Sequence, residues 1–367
     1  MISLIDLQAQ FCSIQPEIEK EVQHVLKSGN YIMGPQVRTL EKQIAARLEV
    51  QEAVSVANGT EALTLTLEAF HIGVGDEVIT TPFTFIATAE AISRVGAIPV
   101  FADVDPSTGL IDPQQIENKL TTKTKAIIPV HLFGQAADMD AIMEIARQYG
   151  LVVIEDACQA FGATYNQKPV GALGDAGCFS FFPTKNLGGL GDGGMIVTNN
   201  KEIASHLRRL RVHGSDQKYY HEEIGYNSRL DTIQAAILLV CLKHIDQWNN
   251  RRRELAKVYL QEFQSIPDLS PIVERETNKH IYHLYCLNSP NRDHYVEHLK
   301  NNKIAAAIYY PVCLHQQKAY QFLGYQKGDY PHAEGLTETI FAIPMHPFLT
   351  ADNQQKIIEV LKEVHPQ

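Results

Sequence analysis

Seven short apolar runs separated by segments of helical periodicity constrain this chain more than any other feature. The runs are Ala53–Val56, Asp76–Thr80, Ile98–Asp103, Ala126–Leu132, Leu151–Asp156, Cys178–Phe182 and Met195–Thr198. Amphipathic segments lie between them, at 61–70, from Pro82 to near Gly96, and at 139–149. Others precede them at 15–28, closing on Gly29, and at 36–47, or follow them at 201–211 and about 230–263. Strands that alternate with helices imply βαβ units and an α/β fold with a largely parallel sheet. Ligands of such sheets sit at the carboxyl ends of strands, so residues just after the apolar runs carry the functional expectation.

A chain of 367 residues, 45% hydrophobic, is long enough for two domains. Its formal charge of −10 argues against nucleic-acid or membrane-surface binding, and the local clusters Arg208-Arg209-Leu210-Arg211 and Arg251-Arg252-Arg253 read as solvated helix faces. No basic region with an apolar run follows Met1, and no apolar stretch approaches the ~20 residues that span a bilayer, so a cytoplasmic protein is expected. The cysteines at 12, 158, 178, 241, 286 and 313 form no Cys-x-x-Cys pair, which implies reduced thiols and neither disulfide framework nor zinc site. His221-Glu222-Glu223 opens like a metalloprotease helix, but Gly225 stands where a second histidine is required, and no metal site is expected.

Three places after strands carry chemistry. In Ser180-Phe-Phe-Pro-Thr-Lys185-Asn-Leu-Gly-Gly-Leu-Gly-Asp-Gly-Gly194 a single lysine sits between an aromatic strand end and a glycine-rich turn. Glycine permits close backbone approach there, and a partly desolvated lysine amine loses its proton more readily, as Schiff-base chemistry with an aldehyde requires. Asn58-Gly59-Thr60 opens a helix after the first strand, which reads either as a plain N-cap or as a cradle in which backbone N–H groups meet a phosphate. Asp156 ends a strand in a carboxylate that is either a helix cap or a ligand group.

The run Ser-Phe-Phe-Pro-Thr-Lys-Asn-Leu-Gly with Gly-Asp-Gly-Gly resembles the lysine signature of the DegT/DnrJ-type sugar aminotransferases, pyridoxal-phosphate enzymes of fold type I. Asp156-Ala-Cys-Gln-Ala-Phe-Gly162 resembles that family's Asp-Ala-Ala-Gln-Ala-His-Gly, with Cys158 and Phe161 as departures. Gly225-Tyr-Asn-Ser-Arg-Leu-Asp-Thr-Ile-Gln-Ala-Ala236 resembles a third motif, and Tyr309-Tyr-Pro-Val-Cys-Leu-His315 a signature of the small domain. The resemblance implies a large, mostly parallel seven-stranded α/β/α domain that binds the cofactor, at 1–245, and a smaller α+β C-terminal domain at 246–367. It implies Lys185 as the residue that holds pyridoxal 5′-phosphate and moves protons, and Asp156 as partner of the pyridine nitrogen. Gln159 then neighbours the ring hydroxyl and Phe85 stacks on the ring, while Gly59, Thr60 and Ser180 meet the phosphate. Asn227 is implied to reach the cofactor phosphate of a neighbouring subunit, which makes a homodimer with shared active sites. Arg229 is either a structural partner of a carboxylate or a contact to substrate phosphate, and Tyr310 and His315 are candidate substrate contacts.

The activity implied is transfer of an amino group from L-glutamate to a nucleotide-linked keto sugar, in the making of amino sugars for surface polysaccharides or glycosylated natural products. Lys185 sets the chain apart from the family's histidine-bearing dehydratases. Asp192 is more like the members that aminate carbon 3, on a dTDP- or UDP-linked sugar, than the carbon-4 members, which carry glutamate there. A regulatory protein that binds the cofactor without turnover is the reading from another class. An enzyme acting on amino acids alone is another, though residues 265–367 offer it only Arg275 and Arg292 as carboxylate anchors.

Overall fold

The computed structural model describes residues 1–364. Its centre is a seven-stranded sheet of β1 (Glu52–Val56), β2 (Glu77–Thr80), β3 (Ile98–Phe101), β4 (Thr124–Ile127), β5 (Val152–Asp156), β6 (Ala176–Ser180) and β7 (Gly194–Thr198). The spatial order is β1-β7-β6-β5-β4-β2-β3. Strands β3, β2, β4, β5 and β6 pair in parallel, whereas β7 is antiparallel to both β6 and β1. Two reversals restore direction, so β1 runs parallel to β6 and ends at the same edge. Four of these runs match the sequence expectation to within a residue at each end; the third ends at Phe101 instead of Asp103 and the sixth lies two residues earlier. The fourth ends early, at Ile127, because Pro129 offers no N–H to a ladder and the chain turns through Leu132–Gly134, where Phe133 takes φ 58°.

Alternation along the strands explains why helices cover both faces. Ala53, Ile127, Val153, Phe179 and Val197 point to one face, with α1 (Leu7–Ser28), α2 (Pro35–Arg47), α5 (Met139–Tyr149) and the start of α7 (Thr232–Phe263) packed on it. Val54, Val78, Ala126, Ile154, Cys178 and Ile196 point to the other, against α3 (Gly59–Ala69), α4 (Ala87–Arg94) and α6 (Lys201–Leu210). Helix α3 starts where the Asn58 side chain accepts the Glu61 N–H at 2.8 Å. Helix α1 begins well before the Gln15 expected from sequence, because Asp6 caps it at Ala9 N–H (2.9 Å) and the helix tolerates Pro16 within it.

Helix α7 runs without interruption through residue 245, the position expected to part the two units. Its first half, with Leu238, Cys241 and Ile245, belongs to the sheet core; Leu255, Ala256, Tyr259 and Phe263 pack against Tyr285, Tyr295, Phe341 and Ile357. That second cluster surrounds a three-stranded antiparallel sheet of β8 (Ser270–Pro271), β9 (Tyr285–Asn288) and β10 (Ile340–Ile343), with α8 (Arg292–Asn301), α9 (Pro331–Thr339) and α10 (Ala351–Lys362) beside it. The first residues join in: Ile2 N–H bonds to Lys303, Ala305 N–H to Ile2, and Met345 N–H to Leu4. A further cluster, in which Phe83, Phe101 and Phe133 meet Leu284, Cys286, Leu314 and Tyr320, binds this part onto the end of the sheet.

The two adjacent carboxylates of β5 face opposite ways. Glu155 is fully buried and accepts the N–H groups of Gly171, Leu173 and Gly174, each at 2.7 Å. His131 Nδ1 accepts the Ala137 N–H at 3.1 Å, which leaves the ring proton on Nε2 to donate to Glu155 at 2.8 Å. Glu155 is therefore a structural anchor for the loop that precedes β6. The Glu155→Ala variant is expected to lose about 3–5 kcal/mol, because four donors lose their acceptor in a dry interior; a urea or guanidinium unfolding midpoint checks this.

Candidate active site

A cavity of ≈ 830 Å³ opens at the carboxyl edge shared by β1, β5 and β6. Gly59, Thr60, Phe85, Asp156, Gln159, Ser180, Lys185 and Tyr310 all line it. Asp156 is buried at 6% exposure, and its carboxylate accepts Thr88 Oγ1–H at 2.7 Å and the Cys158 N–H at 3.2 Å. These donors fix the plane of the carboxylate.

Lys185 sits in the turn after β6, with its own N–H on the Phe182 carbonyl at 2.8 Å. The turn closes through Gly189 N–H to the Phe181 carbonyl (2.8 Å) and Leu190 N–H to Gln234 Oε1 (2.9 Å). A Cβ on Gly188 would stand 2.5 Å from the Pro183 carbonyl oxygen, so the loop that presents the lysine needs glycine there. Burial lowers the Lys185 amine from its ordinary value, against the opposing pull of Cys158 and Asp156. The Cys158 thiol is pushed well up, first by burial and then by Asp156, so it stays neutral beside the lysine.

The phosphate-cradle reading of Asn58-Gly59-Thr60 gains from its surroundings. Gly59 begins α3, and a Cβ there would lie 2.8 Å from Ser180 Cβ and 2.9 Å from Cys158 Sγ. Gly59, Thr60 and Ser180 thus present backbone N–H groups, two hydroxyls and a helix N-terminus to one end of the cavity, a donor set suited to a phosphate. Phe85 is 56% exposed and Tyr310 lies 6.4 Å from it, ring centre to ring centre, so both offer apolar surface to a bound molecule. Gln159 is held between the two parts of the chain: Phe133 N–H donates to its Oε1 at 2.9 Å and its Nε2 donates to the Tyr310 hydroxyl at 3.1 Å.

Three expected residues are not brought to this cavity. Asn227 is exposed and bridges to Val212, and Arg229 donates to the Asn227 side-chain oxygen. His315 is 1% exposed, bonded through Nε2 to Glu334 at 3.1 Å and packed 4.8 Å from the Tyr330 ring; burial lowers its pKa. The cavity adds residues that sequence reasoning left without a role. Thr88 holds Asp156, and its only local signal is its place at the start of α4, three residues after Phe85. His283 donates from Nδ1 to Asn186 Oδ1 at 3.1 Å, and Asn186 is fixed in turn by Asn249 (2.7 Å). Burial first, and Lys185 second, hold His283 well below the usual histidine range, so it faces the cavity as a neutral ring.

A sequence profile of the DegT/DnrJ/EryC1/StrS aminotransferase family matches residues 12–362. The chain belongs to that family. It is 47% identical over 366 residues to a pleiotropic regulatory protein of Geobacillus stearothermophilus, covering 99% of this chain and 98% of the relative. It is 44% identical over 361 residues to the UDP-N-acetyl-3-dehydro-alpha-D-glucosamine 3-aminotransferase of Acidithiobacillus ferrooxidans, covering 98% and 97%. Among solved structures, S. venezuelae DesV in complex with a ketimine intermediate superposes with a TM-score of 0.97 at 39% identity, over 99% of this chain and 98% of that one. The sheet and its helical layers are thus the fold type I architecture of this aminotransferase family.

The lowered Lys185 amine makes one direct expectation. At pH 8 a larger share of it is neutral than of a lysine at the ordinary value, so a small amine-reactive reagent that enters the cavity should modify Lys185 early. Peptide mapping over a time course reads the order.

Proposed function

We propose that this protein is a pyridoxal-phosphate-dependent aminotransferase that moves an amino group from L-glutamate to carbon 3 of a nucleotide-linked keto sugar. The observation that carries this reading is the meeting, in one cavity, of a lysine with a depressed pKa, a buried and oriented aspartate, and a phosphate-type donor set at a helix N-terminus. These residues fit pyridoxal phosphate: Gly59, Thr60 and Ser180 would hold the phosphate, Gln159 the ring hydroxyl, Asp156 the pyridine nitrogen, and Phe85 a face of the ring. When bound, the group supplies an aldehyde that condenses with amines and a protonated ring that accepts an electron pair.

The chain's own residues do the rest. Asp156, held by Thr88 Oγ1–H and the Cys158 N–H, would pair with a pyridine nitrogen placed against it. Lys185 is a base of lowered pKa, on the cavity wall, that would take the proton from the amino donor's α-carbon. In the second half-reaction it returns a proton to the carbon of the sugar that receives nitrogen. Burial holds His283 and Cys158 neutral, which leaves Lys185 as the base of the reacting zone.

Support for a keto-sugar acceptor comes from the Acidithiobacillus relative, whose name specifies a UDP-linked 3-dehydro sugar, and from Asp192, the residue associated with carbon-3 amination, which lines the cavity. A dTDP-linked 3-keto sugar is the other candidate. The arginines that an amino-acid-only enzyme would need are committed elsewhere: Arg275 to Asp105 (2.9 Å) and Asp138 (3.3 Å), Arg292 to Asp293 (2.5 Å) and the Thr337 carbonyl (3.0 Å). The regulatory reading has the name of the Geobacillus relative behind it; that Lys185 and Asp156 line one cavity supports turnover instead. We also take the site as completed by a second copy. Asn227 and Arg229 are turned away from their own cavity, and Phe182, Leu190 and Ile224 are exposed apolar side chains suited to a subunit contact. No helix among the described residues is long and apolar enough to cross a membrane.

The purified protein, loaded with pyridoxal phosphate, is expected to change its visible absorbance to that of the amine form on addition of L-glutamate. A Lys185→Ala variant should lack the absorbance of the lysine-bound cofactor and lose roughly 10²–10⁴-fold in the rate of conversion. If wild type and variant give the same spectra, Lys185 is not the cofactor lysine; if the cofactor loads normally but glutamate leaves it unchanged, the regulatory reading takes over.

A further inference from the structure

The hydrogen-bond chain that crosses the cavity from Phe133 to Tyr310 has only one possible polarity. A backbone N–H can only donate, so the atom of Gln159 that faces Phe133 N–H at 2.9 Å is the amide oxygen. The amide nitrogen is then the atom 3.1 Å from the Tyr310 oxygen, and an amide nitrogen cannot accept. Tyr310 is therefore the acceptor in that bond, and its own proton must point elsewhere. No protein acceptor stands within hydrogen-bond distance of it among the described residues, while the ring lies on the cavity wall, edge-on to Phe83 at 6.1 Å and tilted against Phe85 at 6.4 Å.

From this geometry we infer that the Tyr310 hydroxyl is a fixed hydrogen-bond donor directed into the cavity, and that it serves an oxygen of the reacting substrate next to the carbon that exchanges nitrogen. The inference rests on the aminotransferase reading of the site. Two oxygens have this chemistry: the carboxylate of the amino donor and the oxygen substituent of the sugar. Asn58, Thr184 and Tyr309 bring further donors to the wall, but among the described residues neither of the two hydroxyls has its direction set by a protein bond as that of Tyr310 is. Lys185 is assigned to the cofactor and Arg94, at the rim, is paired with Glu61 at 3.1 Å. Burial, with Asp156 adding to it, pushes the Tyr310 phenol well above its usual value, so the proton is present throughout the neutral and mildly alkaline range. Gln159 is a positioning residue in this scheme: it spends one N–H to orient a donor on the far side of the junction between the two parts of the chain.

Two variants separate this from a packing role. Tyr310→Phe removes the donor and keeps the ring. Gln159→Glu keeps the Tyr310 hydroxyl but replaces the amide N–H with an acceptor, which turns the phenol proton out of the cavity toward Glu. Both variants are first checked for cofactor loading by absorbance. The carboxylate arm is read as the calorimetric dissociation constant of 2-oxoglutarate for the aldehyde form, a complex that does not react, and as single-turnover conversion by L-glutamate. The sugar arm is read in reverse, with UDP- and dTDP-linked 3-amino sugars as amino donors. Both variants are expected to weaken binding in the same arm by roughly 10-fold to 100-fold. The arm affected identifies the oxygen. If loaded Tyr310→Phe matches wild type in both arms, the hydroxyl serves no substrate oxygen and the inference falls; if Gln159→Glu matches wild type where Tyr310→Phe does not, the assigned polarity is wrong. If wild type itself fails to react with glutamate while loading the cofactor, the aminotransferase reading falls and takes this inference with it.

Discussion

Because β7 runs against both of its neighbours, β1 leaves the sheet at the same edge as β5 and β6. That one reversal brings together three loops from distant parts of the sequence: the helix start at Gly59, the aspartate at 156 and the lysine turn at 185. Gly194 is the point where the arrangement is tightest, paired to Val56 on one side and Ser180 on the other, with the Asn58 carbonyl only 2.3 Å from where a Cβ would be. An α/β sheet normally offers ligands a crevice at a change of strand order. Here a change of strand direction creates the equivalent opening.

The division of labour between the two carboxylates of β5 follows from the pleat alone. Glu155 turns inward to a histidine and three backbone N–H groups, and Asp156 turns to the cavity, where a threonine hydroxyl and one N–H leave it part of its acceptor capacity. Neither charge is left without partners, which is the condition for placing two adjacent carboxylates in a buried position. The same economy marks Arg252, buried without a carboxylate and bonded to the carbonyls of Tyr282 (3.2 Å), His283 (3.5 Å) and Met345 (2.7 Å). Burial brings its pKa down to about 10. It holds the His283 segment at the wall of the cavity from behind.

Much of this was legible in sequence because it is local. Strand and helix periodicities gave the sheet, and Lys185, Asp156, Gly59 and Ser180 each lie within a few residues of a strand end that predicts their address. What was not legible depends on pairs far apart in the chain. Thr88 meets Asp156, Gln159 meets Tyr310 and Asn186 meets His283 only after the sheet has formed and the C-terminal part has docked on it. His315 shows the opposite limit: a histidine beside two tyrosines in a motif reads as a contact for substrate, yet nothing local told that Glu334 and Tyr330 would enclose it. Asn227 and Arg229 are polar residues in a recognisable motif, and no local periodicity records that they stand outside the cavity wall of their own chain.

The attachment of residues 2–5 to the C-terminal part bears on how the molecule is made. Ile2 and Leu4 bond to backbone at Lys303, Ala305 and Met345, and Ile5 stands on the cavity wall. During synthesis at about 5–20 residues per second, these first residues wait tens of seconds for their partners to emerge. The sheet has its strands by residue 198, so the nascent chain can hold a formed core while the wall of its cavity is still missing. Closure of the cavity wall then comes well after the sheet has formed, and a chain released before Met345 emerges would fold around an open pocket.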